Sequence, residues 1–175
     1  SAPALYYWCS VHSGMGGAIN TNSTTGSSDF GGTGQSLVNA NTTTGCSIVK
    51  YSGTGSAQSI GHGLGVVPNM MWIRRLDGTE DWAVYFKDHG GAGGSGVNYY
   101  QALNTTEKRS SNTNRFSVAP TSSAFTVNSH SAVNHSGGTH IAYCFANKPG
   151  FSKMGVYTGN GGSDGPFTYT GFKPS

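Results

Sequence analysis

Short runs of apolar residues alternate with polar ones from residue 47 onward, and Gly- and Asn-rich breaks separate the runs. Strict alternation over a few residues is the signature of a half-buried β-strand. It predicts strands at residues 48–51, 70–74, 82–86, 99–103, 115–118, 124–127 and 140–146. The pair Asp77-Gly78 falls between two of these runs and predicts a hairpin. Residues 90–96 read as a flexible glycine loop, and no segment of useful length repeats with the helical period. Such closely spaced short strands imply an all-β fold, an antiparallel β-sandwich of jelly-roll or lectin-like type.

The first 47 residues differ. An apolar strand candidate at residues 4–11 precedes a Gly/Ser/Thr/Asn-rich stretch, 13–45, whose larger apolar residues are Met15, Ile19, Phe30, Leu37 and Val38. That stretch has too little to bury and is expected to run extended over a surface. The chain therefore divides into an N-terminal arm (1–47), a sandwich (48–150) and a C-terminal segment (151–175).

The C-terminal segment repeats part of the sandwich. Lys50-Tyr-Ser-Gly-Thr-Gly55 is echoed by Val156-Tyr-Thr-Gly-Asn-Gly161, Gly63-Leu64 by Gly171-Phe172 and Pro68 by Pro174, at an offset of 106 to 108 residues. Residues 151–175 thus read as the opening strands of a second repeat, giving strand-bearing extensions at both ends. Unfinished repeats leave strand edges open to another chain. Either these strands complete a neighbouring subunit or the sequence is part of a longer polypeptide. Tyr6, Tyr7, Trp8, Tyr157, Phe167, Tyr169 and Phe172 are the candidate subunit contacts.

Composition supports the β reading: Gly 28, Ser 23, Thr 18 and Asn 13 make up 82 of 175 residues, all mediocre or poor helix formers. Hydrophobic residues at 35% and aromatics at 11% still supply a core. The net charge of +3 is scattered, which gives no nucleic-acid surface. The longest apolar stretch, 66–73, is far short of the roughly 20 residues that span a bilayer.

Candidate chemistry is thin. The seven carboxylates are Asp29, Asp77, Glu80, Asp81, Asp88, Glu107 and Asp164. Three cluster around the Asp-Gly turn, where solvation and pairing with Arg74 or Arg75 account for them. His130, His135 and His140 are five apart, unlike the usual zinc spacings, and polar turn or surface positions are expected for them and for His62 and His89. No nucleophile elbow or phosphate loop is present, so neither an enzyme nor a cofactor is expected. Cys144 lies in an apolar run and reads as a packed thiol; Cys9 and Cys46 read as free thiols or as a disulfide. Trp82, Tyr99 and Tyr100, among the aromatics, could stack on sugar faces.

The motif strings carry a resemblance. Thr44-Gly-Cys-Ser-Ile-Val-Lys-Tyr-Ser-Gly-Thr-Gly-Ser-Ala-Gln-Ser-Ile-Gly-His-Gly-Leu64, Pro120-Thr-Ser-Ser-Ala-Phe-Thr-Val127 and Gly150-Phe-Ser-Lys-Met-Gly-Val-Tyr-Thr-Gly-Asn-Gly161 resemble a repeat of unknown function in bacteriophage virion proteins, especially of marine and cyanobacterial phages. The likeness covers about residues 35–175. Cys46 departs from it, standing where an aromatic is expected, as does the stop after Pro174. The resemblance implies a virion-surface component, such as a fibre, decoration or tail-periphery protein. Such a protein is folded in the host cytoplasm and partnered by itself and other virion proteins. A glycan-binding adhesin for host attachment and a subunit of a non-viral extracellular filament are the alternatives.

Overall fold

The computed structural model describes residues 5–8, 16–19, 27–29, 31–90 and 96–173. It is an all-β antiparallel sandwich. Strands β1 (Leu5–Trp8) and β2 (Gly16–Ile19) form a two-stranded ladder of their own, Leu5 opposite Ile19. The main sheet takes β3 (Ser27–Asp29), β4 (Ser36–Asn41), β5 (Cys46–Ser52), β7 (Met70–Arg75), β8 (Ala83–Phe86), β9 (Tyr99–Ala102), β10 (Ser110–Ser111) and β12 (Thr139–Phe145) in the order β10-β9-β8-β7-β12-β5-β4-β3. β6 (Gln58–Gly61) and β11 (Ala124–Val127) pair as a second small sheet, and a single helical turn, α1 (Ser131–Asn134), precedes β12.

Alternation explains the layering. On β5, Ser47, Val49 and Tyr51 are buried while Ile48, Lys50 and Ser52 are exposed; on β12, His140, Ala142 and Cys144 point the same inward way. They pack with Met71 and Ile73 of β7 against Ile60, Phe125, Val127 and Val133 from the opposite layer. Tyr51 ties the two layers together. Its ring stacks on His140 at 5.2 Å and meets Phe125 edge-on, and its hydroxyl donates to the Val133 carbonyl at 2.6 Å.

The boundary expected at residue 47 shifts. β4 is a full member of the main sheet, with Ser36 and Val38 buried, so part of the polar stretch builds core after all. Met15, Phe30, Cys9 and all but the ends of the 90–96 loop lie outside the described residues. Asp77-Gly78 makes no tight hairpin: the last β7–β8 pair is Ile73 with Ala83. The Asp77 carboxylate instead accepts from Arg75 Nε at 2.6 Å and from the Thr139 amide at 2.8 Å, which holds its pKa below the usual carboxylate range. Residues 115–118 form no strand, because their carbonyls bond singly to the Asn128 and Asn98 amides rather than to a ladder.

Surface positions expected for the histidines hold for His135, and His130 is half-buried, capping α1 by accepting from the Ala132 amide. They fail for His62 and His140, both fully buried, and for His89, nearly so. His140 is an inward position of β12. His62 accepts from the Leu64 amide through Nδ1, so its Nε2 carries the proton and donates to the Thr121 carbonyl at 3.1 Å. Cys144 is buried as expected, its thiol pushed up to about 12 by burial, and Cys46 is a free thiol.

Candidate interaction surface

The outward face of the main sheet is unusually apolar for a face turned from the core. Cross-strand register lines up Val84, Trp72, Tyr143 and Ile48 in one row and Phe86, Met70, Phe145 and Cys46 in the next. The Trp72 and Phe145 rings sit 4.9 Å apart, and Trp82 lies 6.1 Å from Tyr143. Antiparallel sheets usually alternate apolar-in with polar-out, so this face is built to carry something.

Part of it carries the chain's own C-terminus. A turn closed between Lys148 and Ser152 reverses the chain after β12, and the Met154 amide donates to Asn147 Oδ1 at 2.8 Å. The following strap lies against the second row: Phe151 and Met154 share a cleft with Cys46 and Phe145, and residues 155–158 share one with Met70, Val84 and Phe86. Further on, Lys153 donates to the Tyr169 carbonyl, and Phe172 returns to a cleft beside Pro149.

The strap is where the repeat can be compared copy with copy. In the first copy Gly53 sits so close to α1 that an added Cβ would fall 2.1 Å from the His135 carbonyl oxygen. The Asn134 side chain clamps the same corner, accepting from the Thr54 amide and Gln58 Nε2 and donating to the Ser56 carbonyl. In the second copy, the left-handed backbone recurs at the matching glycines: φ is +73° at Gly55 and +70° at Gly161, +68° at Gly63 and +83° at Gly171. The surroundings do not recur. Around Gly159 nothing lies within 4 Å of an added Cβ, and Tyr157 is 74% exposed where Tyr51 is 3%. Residues 153–173 form no strand.

The remaining sequence-derived candidates separate. Phe167 and Tyr169 are exposed at 91% and 72%, and Phe172 is half-buried. Tyr6, Tyr7 and Trp8 form β1, whose partner is β2 of the same chain; their side chains lie outside the described residues. Tyr99 and Tyr100 alternate to opposite faces. Tyr99 lies under the Arg109 guanidinium at 4.9 Å, while Tyr100 packs against the core with buried Arg115 3.8 Å above its ring. Stacking on that ring compensates Arg115, whose Nε and Nη1 have no acceptor. Trp82, Tyr99 and Tyr100 therefore make no common platform.

Sequence reasoning missed the polar groups at the end of the strap cleft: Asp88, Gln101 and Arg109. Nothing in their linear spacing joins them; the β8–β9–β10 register does. His89 lies beneath, its pKa lowered by burial and by the nearby Arg109 charge, against a hydrogen bond to the Gln101 side chain that raises it. Among the described residues no three His, Cys, Asp or Glu side chains converge to hold a metal ion, and no helix is long and apolar enough to cross a membrane.

No curated protein and no solved structure matches the chain. A family model described as a domain of unknown function (DUF7483) matches residues 19–175. With β3 to β12, the outward face and the strap all inside that span, the chain belongs to this family of domains of unknown function.

Proposed function

We propose that the chain is a non-enzymatic structural component of a bacteriophage virion surface, acting in assembly and display, with residues 156–172 as its subunit-contact element. The motif resemblance supports the viral setting. One observation carries the contact element: the second copy of the Tyr-x-Gly-x-Gly motif holds the turns of the first while Tyr157, Phe167 and Tyr169 stand exposed. Large aromatics left this exposed along one segment support an interaction site there. An extended segment of this kind associates by adding main-chain hydrogen bonds and filling pockets with alternate side chains. Its partners on this reading are other copies of the chain and neighbouring virion proteins.

The test is light scattering coupled to size exclusion, on the full chain over a concentration series. The wild type is expected to show a mass above the monomer, and Phe167→Ser with Tyr169→Ser to lower it without changing the unfolding midpoint. A wild type that stays monomeric throughout, or a double variant that assembles like it, would overturn the proposal.

A further inference from the structure

The cleft between the strap and the sheet is open to solvent and offers about 600 Å³. Met70, Val84 and Phe86 form its apolar floor and Val156 and Tyr157 its outer wall, with Asp88, Gln101 and Arg109 at one end. Register places the polar groups: Gln101 is opposite Val84, and Arg109 directly precedes β10, which pairs back onto β9. Stacking on Tyr99 holds the Arg109 guanidinium in place. The one ion pair among the described residues is Arg75–Asp77, so Arg109 and Asp88 line the same cleft without neutralising each other. Beneath them His89 is 8% exposed, and its Nδ1 has no hydrogen-bond partner.

This combination selects among ligands. An inorganic anion attracted by Arg109 is repelled by Asp88, and a divalent cation meets the reverse. The ligand that satisfies both must donate to a carboxylate and accept from a guanidinium and an amide of the same cleft, while carrying little net charge. It must also lay an apolar surface on Tyr157, Val156 and Met70. A pyranose ring does all of this: each hydroxyl donates and accepts, and the C–H groups of one ring face pack on an aromatic side chain. The cleft volume lies within the usual range of small-molecule sites, roughly 300–1,000 Å³.

We propose that this cleft binds a neutral saccharide, one ring seated on Tyr157 with its hydroxyls on Asp88, Gln101 and Arg109. The cleft shares Val156 and Tyr157 with the proposed contact element but is not lined by Phe167 or Tyr169, so the Phe167/Tyr169 variant separates this proposal from the assembly reading. Of the three aromatics singled out in the sequence for stacking on sugars, Tyr99 takes part, by positioning Arg109.

The experiment presents the full chain to an array of immobilised neutral and acidic saccharides, then measures the strongest hit by titration calorimetry. Expected is binding of a neutral saccharide, weakened about tenfold or more by each of Asp88→Ala, Arg109→Ala and Tyr157→Ala, and unchanged by Trp82→Ala or by Phe167→Ser with Tyr169→Ser. These variants change side chains at the surface, and circular dichroism confirms that each is folded. The proposal is overturned if no saccharide binds, if binding survives the Asp88 and Arg109 changes, or if acidic sugars and inorganic phosphate alone bind and salt abolishes it. Loss of binding in the Phe167/Tyr169 variant would likewise overturn it, by placing the site on the contact element.

Discussion

Substituting one glycine in each copy of the repeated motif separates a docked corner from an undocked one. At Gly53, an added methyl group would lie 2.1 Å from the His135 carbonyl oxygen and 2.9 Å from the Asn134 carbonyl carbon, both backbone atoms. Ordinary contact begins near 3.4 Å, so the corner must retreat by about 1 Å. Three backbone hydrogen bonds stand in the way of that movement: Gly53 N–H to the Gly138 carbonyl, Gly137 N–H to the Gly53 carbonyl and Gly55 N–H to the Asn134 carbonyl, at 2.8–2.9 Å. Each contributes a net ~0.5–1.5 kcal/mol. Losing or stretching them together gives an expected cost for Gly53→Ala of about 3 kcal/mol, a fall in Tm of roughly 6–12 °C for a chain of this size. Gly159 occupies the matching position of the second motif, yet its added methyl meets nothing within 4 Å. Gly159→Ala is therefore expected to change stability by less than ~0.5 kcal/mol. Urea and thermal unfolding followed by tryptophan fluorescence measure both. Equal effects of the two substitutions, or a Gly53→Ala protein as stable as wild type, would refute the account of the first copy as clamped to α1.

Two further outcomes are expected. Tyr51→Phe removes the donor to the buried Val133 carbonyl and costs about 1–2 kcal/mol by urea unfolding, whereas Tyr157→Phe, on an exposed ring, leaves the midpoint in place. Burial is the first cause that depresses the pKa of His89, His130 and His140. A histidine favoured neutral in the fold contributes stability that is complete above its unfolded pKa of about 6.5 and is lost as pH falls through the lower folded value. The urea midpoint is thus expected to fall between about pH 7 and pH 5, above the range in which Asp77 takes up its proton. A flat profile over that interval would contradict the burial of these rings, and His140→Gln should make the profile shallower.

How much of this was legible depended on whether a residue's role was set locally. β11 begins and ends where the alternation of residues 124–127 puts it, and β5, β7 and β12 come within a residue or two of expectation. β4 and β6 were not read. Ser36-Leu-Val-Asn-Ala-Asn41 and Gln58-Ser-Ile-Gly61 carry few large apolar residues, and they become strands because β5 and β11 offer them edges. The buried histidines escaped for a related reason. His140 has the polarity of a surface residue, and its inward place follows from the parity it shares with Ala142 and Cys144. Asp77-Gly78 carries a hairpin signal, but Arg75 and the Thr139 amide engage its carboxylate in a wider connection. The strap cleft is the extreme case, since its polar end joins the tips of three strands and no linear pattern encodes it.

The repeated motif shows where local and tertiary control part company. The left-handed glycines recur in both copies, so the turn conformations belong to the local sequence, where glycine alone escapes the Cβ penalty. Burial of the tyrosine belongs to the frame: a carbonyl at Val133, a flat ring at His140 and the Asn134 amide, none of which has a counterpart around Tyr157. Ordering a residue costs roughly 1–2 kcal/mol of backbone entropy, and turns already set in the free chain are spared that cost on association. In the proposed assembly, then, a partner has only to straighten the few residues before Gly159 and offer an acceptor and a flat surface to Tyr157. The requirement is small enough to be met by a neighbouring strand edge, and it explains how exposed rings and finished turns coexist in one segment.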